Sequence, residues 1–203
     1  MDASTVHIFW DHSNLFYSAL DACDDKNGGG FEPGHRMDAR LDFPKLYDFA
    51  AAGRNIERAV AVGSIPPGLN TLWKRLRKAG VDVELQERGA QSGKEQAVDE
   101  ALQLHMMRSV VDRAKPAVAV VLSGDGGFYD DARRMIDKGW GVEILCFGGS
   151  FSRKLRGIAK DSHGRGKYVD LDTWYRQLVY LQGKAGPVIR PSDALDLTGR
   201  SQV

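Results

Sequence analysis

Two aspartates stand where a parallel sheet would carry chemistry. Asp11 directly follows the apolar run Val6-His7-Ile8-Phe9-Trp10, and Asp125 follows the run Ala117 to Leu122 after Ser123-Gly124. In open parallel sheets, functional groups gather at the carboxyl ends of the strands, where neighbouring loops meet at a topological switch point. If these two strands are neighbours, the carboxylates converge. Two like charges at close range must lose a charge, take up a cation or stay apart. A hard divalent ion resolves the conflict, because Mg²⁺ or Mn²⁺ accepts carboxylate oxygens and keeps waters for a phosphate and a nucleophile. Aspartate is also a favoured N-cap, so each residue taken singly reads equally well as the cap of the helix that follows it. A third carboxylate, Asp99, lies in Gly93-Lys94-Glu95-Gln96-Ala97-Val98-Asp99-Glu100. A helix crossing the sheet could aim it at Asp125, with Glu95 on the same face. Acids in a first helical turn are ordinary partners of the helix dipole as well.

The elements that must position these residues alternate between strand and helix patterns, as in a parallel sheet covered on both faces. Strands are expected at Val6–Trp10, Ile56–Val62, Val81–Leu85, Ala117–Leu122 and Val142–Phe147, with a short one near Tyr168–Asp170. Helices are expected from Leu15, over Phe43–Ala52, Leu69–Ala79 and Glu95–Arg113, from the Ser123–Gly127 turn to Lys138, and over Phe151–Lys160 and Thr173–Gln182. Gly80 and Gly139 close two of them. Residues Asp24 to Arg40, with three consecutive glycines, read as an exposed loop. The reading is one domain over residues 1–182 and a polar, loosely held tail over 183–203, marked by Pro187 and Pro191.

The 203 residues carry 28 Lys and Arg against 27 Asp and Glu, a net charge of +1, and 42% hydrophobic residues. That balance excludes a disordered chain and a collagen, and it removes any whole-protein electrostatic argument for nucleic acid. Basic residues therefore matter only where they cluster. Two distant cysteines, Cys23 and Cys146, form no metal-ligand pair and suit a reducing cytosol. With no apolar run long enough for a membrane span and no secretory leader pattern, a cytoplasmic protein without membrane partners is the expectation.

Several segments, taken in order, resemble the NYN domains, a family of PIN-like ribonucleases. Ile8-Phe9-Trp10-Asp11-His12-Ser13-Asn14-Leu15 is similar to their opening of an apolar strand followed by Asp, two residues, Asn and Leu. Val120-Val121-Leu122-Ser123-Gly124-Asp125-Gly126-Gly127-Phe128 resembles their Ser-Gly-Asp element, and Val98-Asp99-Glu100-Ala101-Leu102 the helix between. Gly139-Trp140-Gly141-Val142-Glu143-Ile144 and Ser152-Arg153-Lys154-Leu155-Arg156 continue the order, so the resemblance runs from about Val6 to Leu171. It implies an α/β fold, a PIN-like three-layer α/β/α sandwich with a mainly parallel central sheet. The implied activity is Mg²⁺- or Mn²⁺-dependent hydrolysis of RNA phosphodiester bonds. Asp11, Asp99 and Asp125 match the family's metal-binding acids, Asn14 the residue that orients the first loop, and Ser123 supports the site. Two positions depart from the pattern. Gly127 stands where a second aspartate is usual, and His105 where an acid is often found. Glu95, Asp130 or Asp131 are the candidates to supply the missing charge.

An RNA backbone needs cations beside the carboxylates. Arg153, Lys154, Arg156 and Lys160 follow the Gly148-Gly149-Ser150 turn, so a helix N-terminus and several cations face one way. Lys94 and Arg88 precede the Asp99 helix and are also within reach of a phosphate. Lys74, Arg75, Arg77 and Lys78 share a helix with Leu72, Trp73 and Leu76 and read as its solvated face. His12 beside Asp11 is either a phosphate donor or proton relay or simply an exposed loop residue. Trp140 is either core or a stacking platform. Two further readings stay open: an RNA-binding or protein-interaction module whose site has lost an acid, and a phosphate-binding regulatory domain on a similar sheet. A homodimer is compatible with the sequence.

Overall fold

Branched and aromatic runs pair side by side in the structure, a computed structural model that describes residues 1–24, 36–64, 70–86, 96–161, 164–182, 195–197 and 200. In chain order the elements are β1 (Thr5–Asp11), α1 (His12–Asp24), β2 (Ala39–Leu41), α2 (Phe43–Ala51), β3 (Asn55–Ser64), α3 (Asn70–Lys78), β4 (Asp82–Gln86), α4 (Gln96–Asp112), β5 (Val118–Leu122), α5 (Tyr129–Asp137), β6 (Gly141–Cys146), α6 (Arg153–Asp161), β7 (Gly166–Asp170), α7 (Tyr175–Leu178) and β8 (Val179–Leu181). Six strands form one parallel sheet in the order β4-β3-β1-β5-β6-β7. The chain therefore builds outward from β1 through β3 to β4, then returns to lay β5, β6 and β7 on the other side. The reversal falls between β1 and β5, which makes their carboxyl ends the switch point.

Side chains alternate across the sheet, and both faces are covered. Val6, Ile8 and Trp10 of β1 pack with Leu15 of α1, Leu46 of α2, Trp73 of α3 and Tyr175 of α7. Phe9, between them, joins Val98 and Leu102 of α4, Met135 of α5 and Leu155 of α6 on the opposite face. Two-sided burial is why the central strands read as continuous apolar runs rather than alternating ones. The three-layer α/β/α sandwich is present as expected. Gly139 ends the α5 region at φ 87°, a left-handed conformation that glycine adopts without a Cβ penalty.

Two features were not anticipated. The expected helix over Thr173–Gln182 stops at Leu178, and Val179-Tyr180-Leu181 pairs antiparallel with Ala39–Leu41 as a small second sheet. The β-branched and aromatic residues of that segment favour extended structure once a partner strand is at hand. Within the polar tail, Leu195 and Leu197 pack against the first core layer. Arg200 is buried there, its guanidinium donating to the Phe49 carbonyl at 2.8 Å and to Glu143 at 2.7 Å. Among the described residues no helix is long and apolar enough to cross a membrane.

Candidate active site

Pairing of β1 with β5 sets Trp10 beside Leu122, so Asp11 and Ser123 leave the sheet as neighbours. Asp11 lies two residues after Phe9, and Ser123 two after Val121, so both fall on the face covered by α4. The Ser123 hydroxyl donates to Asp11 Oδ2 at 3.1 Å and accepts from the Asp125 backbone N–H at 3.1 Å. One serine thus links the two aspartates that the sequence singled out. Asp11 is buried, and its Oδ1 also accepts the Asn14 backbone N–H at 3.0 Å. Asp125 is exposed and caps the 3₁₀ turn Gly126–Phe128, its Oδ1 accepting the Gly127 N–H at 2.7 Å. Both carboxylates therefore cap helical turns, and the capping geometry holds each of them at the strand ends. Asn14 closes the arrangement, its side-chain oxygen accepting the Gly124 N–H at 2.9 Å.

Asp99 sits in the first turn of α4, half-buried. Gln103, four residues on and on the same face, donates to the Gly127 carbonyl at 3.2 Å, which fixes that side of α4 against the Asp125 turn. No group of three or more His, Cys, Asp or Glu side chains among the described residues is arranged to hold a metal ion.

The NYN domain family model matches residues 5–163. The chain belongs to the NYN family. This family is generally ribonuclease-like, on a PIN-like nuclease fold. No curated protein is detectably similar to the chain in sequence.

In this NYN domain the basic helix is tied directly to the aspartate turn. The Ser152 N–H donates to the Gly124 carbonyl at 3.0 Å. Gly126 is so close that a Cβ there would meet Ser152 Oγ at 2.6 Å, and one at Gly124 would collide with the Ser150 carbonyl. Glycine at both positions is what lets the start of α6 approach Asp125. Arg153, Lys154 and Arg156 are exposed on that helix. Arg156 is partly committed, donating to the Gly148 carbonyl at 3.0 Å with its guanidinium 5.7 Å from the centre of the Phe151 ring. Lys94, Arg88 and Glu95 lie outside the described residues.

Other candidates resolve differently. His12 is buried between Phe16, Phe43 and Trp73, with ring centres 4.8–5.8 Å away, and burial lowers its pKa to about 4. Burial thus favours the neutral imidazole, and His12 is not the exposed loop residue that was its alternative. His105 hydrogen-bonds Arg58 at 2.9 Å and Glu84 at 2.8 Å, which places it with β3 and β4 rather than with the Asp125 turn. Trp140 is core, packed edge-on against His7 at 5.0 Å. On α3, Trp73 and Leu76 are buried while Lys74, Arg75, Arg77 and Lys78 are exposed, so the basic stripe is the solvated face. Asp131 is buried beside Arg134 at 3.3 Å, and burial raises its pKa despite that cation. Asp130 is exposed. The reading of the sequence missed Gln103, for which the i+4 spacing from Asp99 was the available signal, and named Ser152 only as part of a motif, without its tie to Gly124.

Proposed function

We propose that this NYN domain is a metal-dependent ribonuclease that hydrolyses RNA phosphodiester bonds at the carboxyl ends of β1 and β5. The observation that carries the reading is the hydrogen-bonded link Asp11–Ser123–Asp125 at the switch point of the sheet. Two carboxylates are a fitting donor set for Mg²⁺ or Mn²⁺, since Mg²⁺ is commonly held by one or two carboxylates, its own waters and substrate phosphate rather than by an all-protein cage. Asp11 and Asp125 would hold the ion, with Asp99 contributing through water. When bound, the ion polarises a phosphoryl oxygen and lowers the pKa of a water for in-line attack.

The chain's own residues do the positioning. Ser123 and the Asn14 backbone fix the Asp11 carboxylate, and the Gly127 N–H fixes that of Asp125. Carboxylates held in this way would reorganise little on binding, and such preorganisation is where much of a site's electrostatic benefit originates. Arg153 and Lys154, at the start of a helix tied to the same turn, hold the RNA backbone, with Arg156 beside them and Lys94 as a further contact. Replacing Arg153 and Lys154 with alanine is expected to weaken RNA binding and to reduce the slope of log affinity against log salt by about 1.4, at about 0.7 per lost phosphate contact on single-stranded RNA.

A second reading is an RNA-binding module with a weakened site, favoured by the glycine at position 127. Incubation of single-stranded and structured RNAs with Mg²⁺ or Mn²⁺, with an EDTA control, separates the two. The nuclease reading expects cleavage that needs the ion and is lost in both Asp11→Asn and Asp125→Asn. Equal cleavage by the variants would overturn it, and retained binding without cleavage would favour the second reading.

A further inference from the structure

Helix α4 carries apolar residues on two sides. Val98, Leu102 and Met106 face the sheet and are buried. On the outward side, Leu104 is 51% and Val111 81% exposed, and Ala97 is exposed as well. These three are seven residues apart, so they fall in one line along the helix, bordered by the half-buried Ala101 and Met107. A single exposed leucine needs no explanation, whereas an apolar line in heptad register is the pattern of a helix awaiting a partner helix.

The charges beside this line say which partner. Glu100 and Arg108, both exposed, lie four residues before and four after Leu104, just as Ala97 and Val111 lie seven before and seven after. The stripe is therefore its own complement when reversed. Turning a second copy end for end about Leu104 sets Ala97 level with Val111 and Glu100 level with Arg108, twice over, as a two-fold interface requires. A parallel pairing would instead set Glu100 level with Glu100 and Arg108 with Arg108, which like-charge repulsion disfavours.

We infer that the outward face of α4 pairs antiparallel with the same face of a second copy of this chain, forming a two-fold dimer centred on Leu104. The inference is independent of the nuclease reading. Pairing also leaves the aspartates open, because Gln103, on the side of α4 that carries Asp99, faces the Asp125 turn and lies off the seam.

Sedimentation of the full chain from about 1 to about 300 µM tests the proposal over the range expected for a modest interface. The average mass is expected to rise towards twice the monomer mass as concentration increases. Leu104→Glu is expected to stay monomeric throughout with an unchanged thermal melt, since the side chain is on the surface. Glu100→Arg and Arg108→Glu should each weaken the dimer about tenfold or more, and the double swap Glu100→Arg with Arg108→Glu should restore it. A monomer across the whole range, or a dimer indifferent to Leu104→Glu, overturns the inference. A dimer that the double swap fails to rescue overturns the antiparallel register.

Discussion

Glu143 and Asp11 are both buried carboxylates, on strands separated only by β5, and different donors hold them. Glu143 is fully enclosed, with both oxygens taking bonds from Arg54 at 2.9 Å and a further one from Arg200 at 2.7 Å. Burial raises its pKa, but the Arg54 hydrogen bonds and the Arg200 charge outweigh this and bring the carboxyl below its ordinary value. Asp11 takes hydrogen bonds from neutral donors, the Ser123 hydroxyl and the Asn14 amide. Two guanidinium groups saturate a carboxylate and turn it into a structural tie. A serine hydroxyl and a backbone amide fix the Asp11 carboxylate in place at the strand ends.

The largest effect expected from that contrast is on stability. Glu143→Gln leaves two buried guanidinium groups without their counter-charge, and breaking a buried ionic group in this way costs about 3–5 kcal/mol. Urea unfolding of the full chain measures it, while RNA cleavage per folded molecule at low temperature should be unchanged. A loss below about 1 kcal/mol would break the contrast, since Glu143 would then be no more structural than a surface ion pair.

Acid should weaken the fold in two stages. His12 has a folded pKa of about 4 against an ordinary 6.5, so the unfolded chain binds a proton that the folded chain refuses. Its contribution is present above pH 6.5 and is lost as the pH falls towards 4, amounting to about 3 kcal/mol at about 1.4 kcal/mol per unit. Glu143 acts lower, its contribution lost only as the pH falls through its depressed folded pKa. Asp131, whose pKa burial raises, works in the opposite sense and softens the second stage. Denaturant midpoints from pH 7 to pH 4 should therefore fall in the wild type and fall less in His12→Phe, which fills the same aromatic site. An equally steep fall in the variant would place the proton uptake elsewhere.

Asp11→Asn should give the reverse signature of Glu143→Gln. Metal-dependent cleavage is expected to drop by about 100-fold or more, in line with the removal of a preorganised electrostatic group. The thermal midpoint should fall by far less than in Glu143→Gln, since asparagine keeps one of the two oxygens that accept the Ser123 and Asn14 hydrogen bonds. A collapse in stability with cleavage per folded molecule intact would make Asp11 a structural residue like Glu143.

What could be read in the sequence follows from the range of the interactions involved. The strands of the large sheet announce themselves because two-sided burial makes each one continuously apolar, and Asp11 and Asp125 are legible as the polar residues that follow such runs. The β2 and β8 strands, three residues each, are too short to show a period, and they pair across more than 130 positions. Glu143 sits inside an apolar strand with no local sign of its partners, because Arg54 and Arg200 lie 89 and 57 positions away. His12 looked exposed beside Asp11; its burial is set by Phe43 and Trp73, which arrive from later helices. Spacing sets Asp99 and Gln103 on one side of α4, and how close a helix lies to a turn is decided by packing that spacing does not encode.

The smallest expected effect concerns Gly127, where a second acid would extend the Asp11 style of holding a carboxylate rather than the Glu143 style. Among the described residues a Cβ at this position would meet only Asp125, with Oδ1 at 3.3 Å and Cγ at 3.9 Å, and the backbone is not in the left-handed region. An aspartate therefore fits once Asp125 gives by a few tenths of an ångström. Its new carboxylate would stand beside that of Asp125, which raises the cost of leaving the pair without a cation. Gly127→Asp is expected to tighten Mn²⁺ binding about 3- to 10-fold by calorimetry and to raise cleavage in step, because affinity for hard cations grows with ligand charge. Gly127→Asn, similar in shape and uncharged, should do neither. If the asparagine variant gains as much as the aspartate, the benefit comes from stiffening the turn and the carboxylate count is not what limits the site.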